Sequence, residues 1–290
     1  MSLLELFCEV DDFCQSFEVL LSERQLMASK SGPKQRLSTS EIMTIVINFH
    51  QEGYRDFKHY YLNHVCRYLQ TEFPNLVSYN RFVELMHTAL LPLCAYLKKR
   101  FGECTGIAFV DSTPLAVCHN RRIDRHKVFA DLAARGKTTM GWFFGFKLHL
   151  IVNDRGELLA VHLTAGNVDD RKPLDVISQD LSGKLFGDKG YISQKLFEHL
   201  FHRGLELITN IRKNMKGSMM RLKDKLLLRK RFIIETINDQ LKNISQIEHT
   251  RHRKPANFAV NLIAGLIAYT HQPKKPAINS PLMTNLAVLI

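Results

Sequence analysis

The sequence has little of what marks secreted, zinc-binding or membrane proteins. Its six cysteines are scattered and form no CxxC pair, which is typical of reduced thiols and argues against a zinc site. The thirteen histidines show no HxxxH or HExxH spacing, and the start lacks the basic-then-apolar order of a signal peptide. The longest apolar stretch, Ala256 to Tyr269, is interrupted by Asn257 and Asn261 and is too short to cross a bilayer. We therefore expect a soluble, cytoplasmic protein without a membrane partner.

Acidic residues are also in short supply. The chain carries 28 Asp and Glu against 40 Lys and Arg, a net charge of +12. Such an excess favours a polyanionic partner, of which nucleic acid is the commonest, although an ordinary basic enzyme would have the same balance. The apolar fraction of 45% in 290 residues is typical of a folded protein of one or two domains.

The first 100 residues are predicted to be entirely helical. An amphipathic segment runs from about Leu3 to Met27, and after a polar break Ser38 and Glu41 form a capping-box pattern ahead of an apolar run. Several short helices could form a helix-turn-helix that binds DNA ends, but a plain helical bundle is the preferred interpretation.

From residue 105 onward the pattern changes to strands. One predicted strand ends in Asp111, the stretch FFGFKLHLIVND alternates with period two, and later strands alternate with helices up to a long helix at about Leu222–Ser245. This order predicts a mixed α/β sheet flanked by helices. The predicted domains are a helical domain at 1–100, a catalytic domain at 101–272 and a loose tail at 273–290.

Two acids stand at predicted strand ends. Asp111 follows the apolar residues 107–110, and Asp188 follows Leu185, Phe186 and Gly187. Taken alone, Asp111 is more typical of a turn-forming Asp, and Asp188 is equally typical of one. Two neighbouring strands ending in acids at the same edge would instead form a site, because α/β sheets bind ligands at such edges.

A third acid, Glu235, lies in the predicted long helix. Leu226, Ile233, Ile234, Ile237, Leu241 and Ile244 fall in one arc that should pack on the sheet, and the stripe beside it contains Arg231, Glu235, Asn238 and Lys242. An intrahelical salt-bridge stripe in water is the alternative. Three carboxylates at one place would bind hard divalent cations, which prefer oxygen ligands and can activate water for phosphodiester cleavage.

These residues resemble those of the DDE transposases of bacterial insertion sequences, and most closely the insertion sequence 982 family. The match is carried by FVDSTPLAVCHNRR (109–122), residues 135–174, LFGDKGYIS (185–193) and RKRFIIETINDQLK (229–242) with the segment after it. The two intervals between the acids are 77 and 47 residues. Arg231, Glu235 and Lys242 have the spacing of the family's last motif, although Leu228 stands where many relatives carry a Tyr.

The resemblance implies an RNase H-like core that binds two Mg²⁺ or Mn²⁺ ions. Asp111 would contact both ions, and Asp188 and Glu235 one each. Water would free a 3′-OH at the element's end, and that hydroxyl would attack target DNA. The resemblance also implies a homodimer on DNA, with terminal inverted repeats and target DNA as partners, in the bacterial nucleoid.

Basic residues near these motifs are predicted to bind DNA phosphates, with solvated loops as the alternative. Nine basic residues face one acid between Arg212 and Arg231. The predicted DNA-binding residues are Arg121, Arg122, Arg125, Lys127, Lys189, Lys213, Lys216, Arg231, Lys242, Arg251 and Arg253.

Two further features are assigned structural roles. Asn167, Asp169 and Asp170 are interpreted as a loop-organising turn rather than metal ligands, and Trp142, the only tryptophan, as a core residue rather than a base-stacking platform. The alternatives to a transposase are a stand-alone nuclease with the same core and an inactive DNA-binding derivative.

Overall fold

The structure is a computed structural model of the protein and describes residues 1–24, 36–139, 141–210, 220–248 and 252–278. The helices in chain order are α1 (Leu3–Glu23), α2 (Thr39–Gln51), α3 (Phe57–Tyr60), α4 (Cys66–Tyr68), α5 (Tyr79–Leu85), α6 (Leu90–Lys99), α7 (Arg171–Ile177), α8 (Gln194–His202), α9 (Leu222–Arg229), α10 (Phe232–Asn243) and α11 (Pro255–Thr270). A π-helical turn at Tyr61–Val65 joins α3 to α4, and 3₁₀ turns lie at Met86–Ala89, Asn120–Arg125 and Lys189–Tyr191. Within these ranges no helix is both long and apolar enough to cross a membrane.

The strands are β1 (Ile107–Cys118), β2 (Ala134–Thr138), β3 (Gly141–Asn153), β4 (Leu158–Ala165), β5 (Gly183–Gly187) and β6 (Leu205–Thr209). They form one sheet in the order β2-β3-β1-β5-β6, and β4 also pairs with β3. β3 runs antiparallel to β1, β2 and β4, whereas β5 runs parallel to β1 and to β6. The predicted mixed sheet with flanking helices is confirmed.

By its contacts the chain forms two compact units. The first contains Met1–Arg100 and Gln240–Pro273, and the second contains Phe101–Asp239 and Lys274–Ile290. The segment from Gln240 therefore groups with the N-terminal helices, because α11 is buried on almost every side and packs against α2 and α6. As a division into functional domains, the ranges 1–100, 101–272 and 273–290 stay a prediction.

The first unit is a helical bundle whose first two helices begin as the sequence predicts. Ser38 and Glu41 form the expected capping box at α2, and Ser2 and Glu5 form another at α1. The predicted extension of α1 to Met27 is not seen, since the helix ends at Glu23 and residues 25–35 lie outside the described ranges. Whether any of these helices binds DNA stays a prediction.

In the second unit one face of the sheet carries the core under α7 and α8. Ala108 and Val110 of β1 lie there with Ile151 of β3, and Leu174 and Leu200 reach them from the two helices. Because side chains alternate along a strand, Phe109 and Asp111 lie on the opposite face. There the rings of Phe109 and Phe186 stack with their centroids 5.5 Å apart.

The prediction of one continuous helix at about Leu222–Ser245 is wrong. The segment is interrupted at Lys230 and Arg231, so that α9 and α10 are separate helices. The interruption changes the helical phase: Leu227 and Leu228 are buried, while Leu226, which the continuous arc placed in the core, is 42% exposed. Ile244, past the last turn of α10, is exposed as well, whereas Ile233, Ile234, Ile237 and Leu241 are buried as predicted.

The start of the C-terminal tail also differs from expectation. Residues 274–278 are not loose, because the backbone N–H of Ile278 donates to the Asp154 carbonyl oxygen at 2.9 Å. A side chain at Gly156 would lie 2.0 Å from the carbonyl oxygen of Pro276, so this turn accepts only glycine beneath the tail. Residues 279–290 of the predicted tail lie outside the described ranges.

Candidate active site

Asp111 and Asp188 occupy equivalent positions on neighbouring parallel strands. The pairing of β1 with β5 ends at the row that joins Phe109 to Phe186, and each acid lies two residues beyond that row. Adjacent strands are about 4.8 Å apart, so the two acids meet at one edge of the sheet. β1 itself continues past Asp111 to Cys118 along β3, which corrects the prediction that the strand ends at the acid.

Asp111 is held inside a network of polar contacts. Its side chain is 21% exposed, Asn238 Nδ2 donates to its Oδ2 at 3.0 Å, and Arg231 Nη1 lies 3.9 Å from its Oδ1. The pKa of Asp111 is raised to about 6, mainly by burial; Arg231 and the Ser112 N–H oppose the rise, and the nearby Asp188 and Glu235 add to it. Asp188 and Glu235 are therefore close enough to Asp111 to influence its charge.

Glu235 reaches the same site from the first turn of α10. Its side chain is 55% exposed and accepts a hydrogen bond from Arg231 Nη2 at 2.8 Å. Arg231, four residues earlier, thus contacts the carboxylates of both Glu235 and Asp111. The Arg231 guanidinium therefore lies between two carboxylates and reduces the repulsion between their negative charges.

Asp188 is fixed by the turn that follows β5. It is the N-cap of the 3₁₀ turn Lys189–Tyr191, and its Oδ1 accepts from the Gly190 N–H at 2.7 Å. A Cβ at Gly190 would lie 2.8 Å from that same oxygen, so a larger residue would displace the carboxylate. The ring of Tyr191 packs closely over Gly187, and a Cβ there would lie 3.1 Å from Tyr191 Cδ2.

The donor chemistry fits a hard divalent cation. All three side chains supply carboxylate oxygens, which Mg²⁺ and Mn²⁺ prefer, and they belong to one electrostatically coupled set. Their side chains are not gathered tightly: among the described residues no group of three or more His, Cys, Asp or Glu is arranged to hold a metal ion. The site contains the ligand types for the cation, with Arg231 lying against two of them.

Comparison with known families identifies the family to which the chain belongs. The family model of a transposase DDE domain matches residues 101–255, which is more than half of the chain. The chain belongs to the DDE transposases. Its mixed sheet flanked by helices is the RNase H-like fold of that domain. No curated protein matches the chain.

The basic residues predicted to bind DNA lie in different surroundings in the transposase. Arg121, Arg122, Arg125 and Lys127, in and just after the 3₁₀ turn that follows β1, are exposed, as is Lys189 beside Asp188. Lys242 and Arg253 belong to the first unit, where Lys242 pairs with Glu248 at 3.4 Å and Arg253 is exposed. Lys213, Lys216 and Arg251 lie outside the described residues.

Arg231 is the basic residue whose surroundings differ most from the expected phosphate contact. In the transposase its guanidinium pairs with two of the acids, as described above. A phosphate entering the site would have to compete with these carboxylates for it. Phosphate binding by Arg231 and by the other basic residues stays a prediction.

The turn after β4 has its acids paired with cations. Asp170 forms an ion pair with Lys147 at 2.9 Å, and Asp169 with Arg171 at 2.5 Å. The hydrogen bonds from Arg171 hold the pKa of Asp169 well below its ordinary value. These contacts agree with a loop-organising role for the two acids.

The sequence analysis missed two side chains of the candidate site and misplaced a third side chain, Trp142, elsewhere on the sheet. Asn238 shared a helical stripe with Glu235 but received no role, although its spacing from Arg231 and Glu235 was the available signal. Tyr191 is 2% exposed, and burial raises the pKa of its hydroxyl, with Asp111 and Asp188 raising it further from nearby. Trp142 was predicted to lie in the core, but it is 52% exposed.

Proposed function

We propose that this transposase belongs to the insertion sequence 982 group, cuts phosphodiester bonds at the ends of its element and joins the freed 3′-OH to target DNA. Asp111, Asp188 and Glu235 would hold two Mg²⁺ or Mn²⁺ ions. The observation that carries the proposal is the register of β1 and β5, which puts two acids at one sheet edge within electrostatic reach of Glu235.

The bound cations would supply Lewis-acid activation of the attacking water or hydroxyl and neutralise charge on the leaving oxygen. The chain's own residues prepare the carboxylates for this. Asn238 holds one oxygen of Asp111, and the Gly190 N–H holds one oxygen of Asp188, so both side chains keep a fixed orientation before the substrate arrives.

Arg231 supports the same function electrostatically. Its contacts with Asp111 and Glu235 reduce the repulsion among the three acids, and they help Asp111 to stay ionised at neutral pH despite its burial. An ionised Asp111 is the form that can act as a ligand.

The net charge of +12 and the exposed arginines after β1 support DNA as the substrate. We propose that the predicted basic residues contact its phosphates. The proposed assembly is a homodimer that brings two element ends together in the bacterial cytoplasm.

The test uses a labelled terminal inverted repeat, a target plasmid and Mg²⁺ or Mn²⁺, and it compares the native chain with Asp188→Asn. We expect metal-dependent cleavage that leaves a 3′-OH, followed by joined products, and a rate more than about 100-fold lower in the variant with DNA binding retained. Asp180→Asn, an exposed acid away from the site, is the matched control and should behave as the native chain.

Other outcomes would identify the alternatives. Cleavage without joining would indicate a stand-alone nuclease, and DNA binding without cleavage would indicate an inactive derivative. Equal cleavage by the native chain and Asp188→Asn would remove Asp188 from the site.

A further inference from the structure

The hairpin of β2 and β3 carries an unusual exposed surface. Trp142 is the only tryptophan of the chain, and it is 52% exposed although it follows the same alternation as the buried Phe144 and Phe146. It pairs directly across the hairpin with Lys137, and Arg135 is its diagonal neighbour. The guanidinium carbon of Arg135 lies 4.9 Å from the indole ring centre, and Lys137 Nζ lies 5.6 Å from it.

The opposite face of this hairpin is fixed against the sheet. A Cβ at Gly136 would lie 2.6 Å from Phe143 Cε1 and 2.2 Å from the Gly166 carbonyl oxygen, so these groups are in direct contact. Asn120 Nδ2 also donates to the Trp142 carbonyl oxygen at 2.7 Å, which ties the hairpin to the segment after β1. The backbone that carries the exposed indole is therefore held in place by these contacts.

Arg135 and Lys137 beside Trp142 belong to a strongly cationic stretch of the chain. Between His119 and Trp142 the chain has six Arg and Lys against two Asp, and all six cations are exposed. None of the six forms an ion pair with any described residue. Exposed aromatic rings flanked by unpaired cations are typical of surfaces that bind nucleic-acid strands, where bases stack on the ring and phosphates meet the cations.

The geometry points to a base-stacking platform: an unpaired nucleobase of the DNA substrate stacks on Trp142, while Arg135 and Lys137 contact the phosphates beside it. The inference rests on the proposed function for its ligand, a DNA strand. An unpaired base is the fitting occupant because bases inside a duplex already have both faces stacked.

The platform lies away from the carboxylates. Leu150 pairs with Asp111, and Trp142 is eight residues from Leu150 along β3, which corresponds to about 26 Å. Trp142 therefore contributes to DNA affinity and not to the reaction at the cleaved bond.

The first test needs no variant, because all tryptophan fluorescence of the full chain comes from Trp142. We would titrate the native protein in low salt with a 20-nucleotide oligo(dT) strand and, separately, with the matching dA·dT duplex. Stacking predicts quenching by about half with the single strand and a smaller change with the duplex. Binding of a fluorescein-labelled strand, seen by anisotropy without any change of tryptophan fluorescence, would overturn the inference.

Variants then separate stacking from charge. Trp142→Ala should weaken binding of the single strand about 5- to 100-fold with an unchanged salt dependence, and Trp142→Phe should lose less. Arg135→Gln and Lys137→Gln should each lower the slope of log K against log salt by about 0.7. Phe201→Ala removes another exposed aromatic residue, 59% exposed on α8, and should bind as the native chain does. Equal affinity of Trp142→Ala and native protein would refute the platform; a lower unfolding temperature in that variant would then assign Trp142 a stabilising role in the hairpin instead.

Cleavage distinguishes this failure from failure of the proposed function. Metal-dependent cleavage by a native chain whose Trp142 fluorescence does not change on DNA binding would refute the platform and leave the proposed function standing. Quenching by DNA without any cleavage would support the platform and refute the transposase activity. At saturating DNA, Trp142→Ala should cleave within about twofold of the native rate; a large loss at saturation would contradict a role in affinity alone.

Discussion

Replacing Asp111 by Asn is expected to stabilise the metal-free transposase. The carboxylate is buried at the sheet edge, and its pKa is raised from 3.8 to about 6. A carboxyl group whose pKa is higher in the folded state contributes its full share of stability below pH 4, and it loses that share as the pH rises through 6. At pH 7.5 the ionised carboxylate therefore destabilises the fold.

The magnitude follows from the same values. The difference between 3.8 and about 6 corresponds to about 3 kcal/mol in the free energy of unfolding, an upper limit because the side chain is 21% exposed. The amide introduced by Asp111→Asn would still accept a hydrogen bond from Asn238, and Arg231 would keep its contact with Glu235. We expect a gain of about 1–3 kcal/mol, or roughly 3–8 °C in the unfolding midpoint.

The assay is thermal unfolding in EDTA at pH 7.5 and at pH 4.5 for the native chain, Asp111→Asn and the exposed control Asp180→Asn. The advantage of Asp111→Asn should be large at pH 7.5 and small at pH 4.5, and the control should match the native chain at both. Adding Mg²⁺ should raise the native midpoint and leave Asp111→Asn unchanged. A variant that is less stable than the native chain in EDTA at pH 7.5, or equally shifted at both pH values, would refute the burial argument.

Two further substitutions test the surroundings of the site. Asn238→Ala should lower the cleavage rate about 10- to 100-fold, because it removes the hydrogen bond to the buried carboxylate of Asp111. The control Thr236→Ala, on the exposed side of α10, should keep the native rate. Equal rates for the two variants would remove Asn238 from the site. Asp224→Asn should destabilise the fold by about 1–3 kcal/mol in urea unfolding, because its 6%-exposed carboxylate pairs with Lys184. Glu206→Gln, which removes the more distant and exposed partner of the same lysine, should be nearly neutral; a loss as large as that of Asp224→Asn would contradict this ranking.

The sequence predicted the parts of the site that depend on local patterns. Apolar runs that end in acids predicted the meeting of Asp111 and Asp188, and the structure shows how it arises, from the parallel register of β1 with β5. The stripe of Arg231, Glu235 and Asn238 was visible as helical spacing, although its contacts with Asp111 depend on how α10 lies over the sheet. Long-range packing of this kind leaves no local pattern.

Two errors show where alternation and helical periodicity stop being informative. Trp142 lies on the same face of β3 as the buried Phe144. The pairing of β1 with β3 ends at Phe144, however, and beyond it only the two-stranded hairpin of β2 and β3 continues. A side chain on the inner face of a strand is buried only where another layer of the protein packs over that face. Leu226 was misplaced because the break at Lys230 and Arg231 shifts the helical phase, and neither residue is a helix breaker by propensity.

The most direct test of the account is single-turnover cleavage of a labelled element end in Mn²⁺ by the native chain, Asp111→Asn, Asp188→Asn, Glu235→Gln and the control Asp180→Asn. We predict that each of the three site variants loses more than about 100-fold in rate while it still binds the DNA, and that the control keeps the native rate. A native rate in any one of the three would remove that carboxylate from the site. Native rates in all three would contradict the assignment of this sheet edge as the place where DNA is cut.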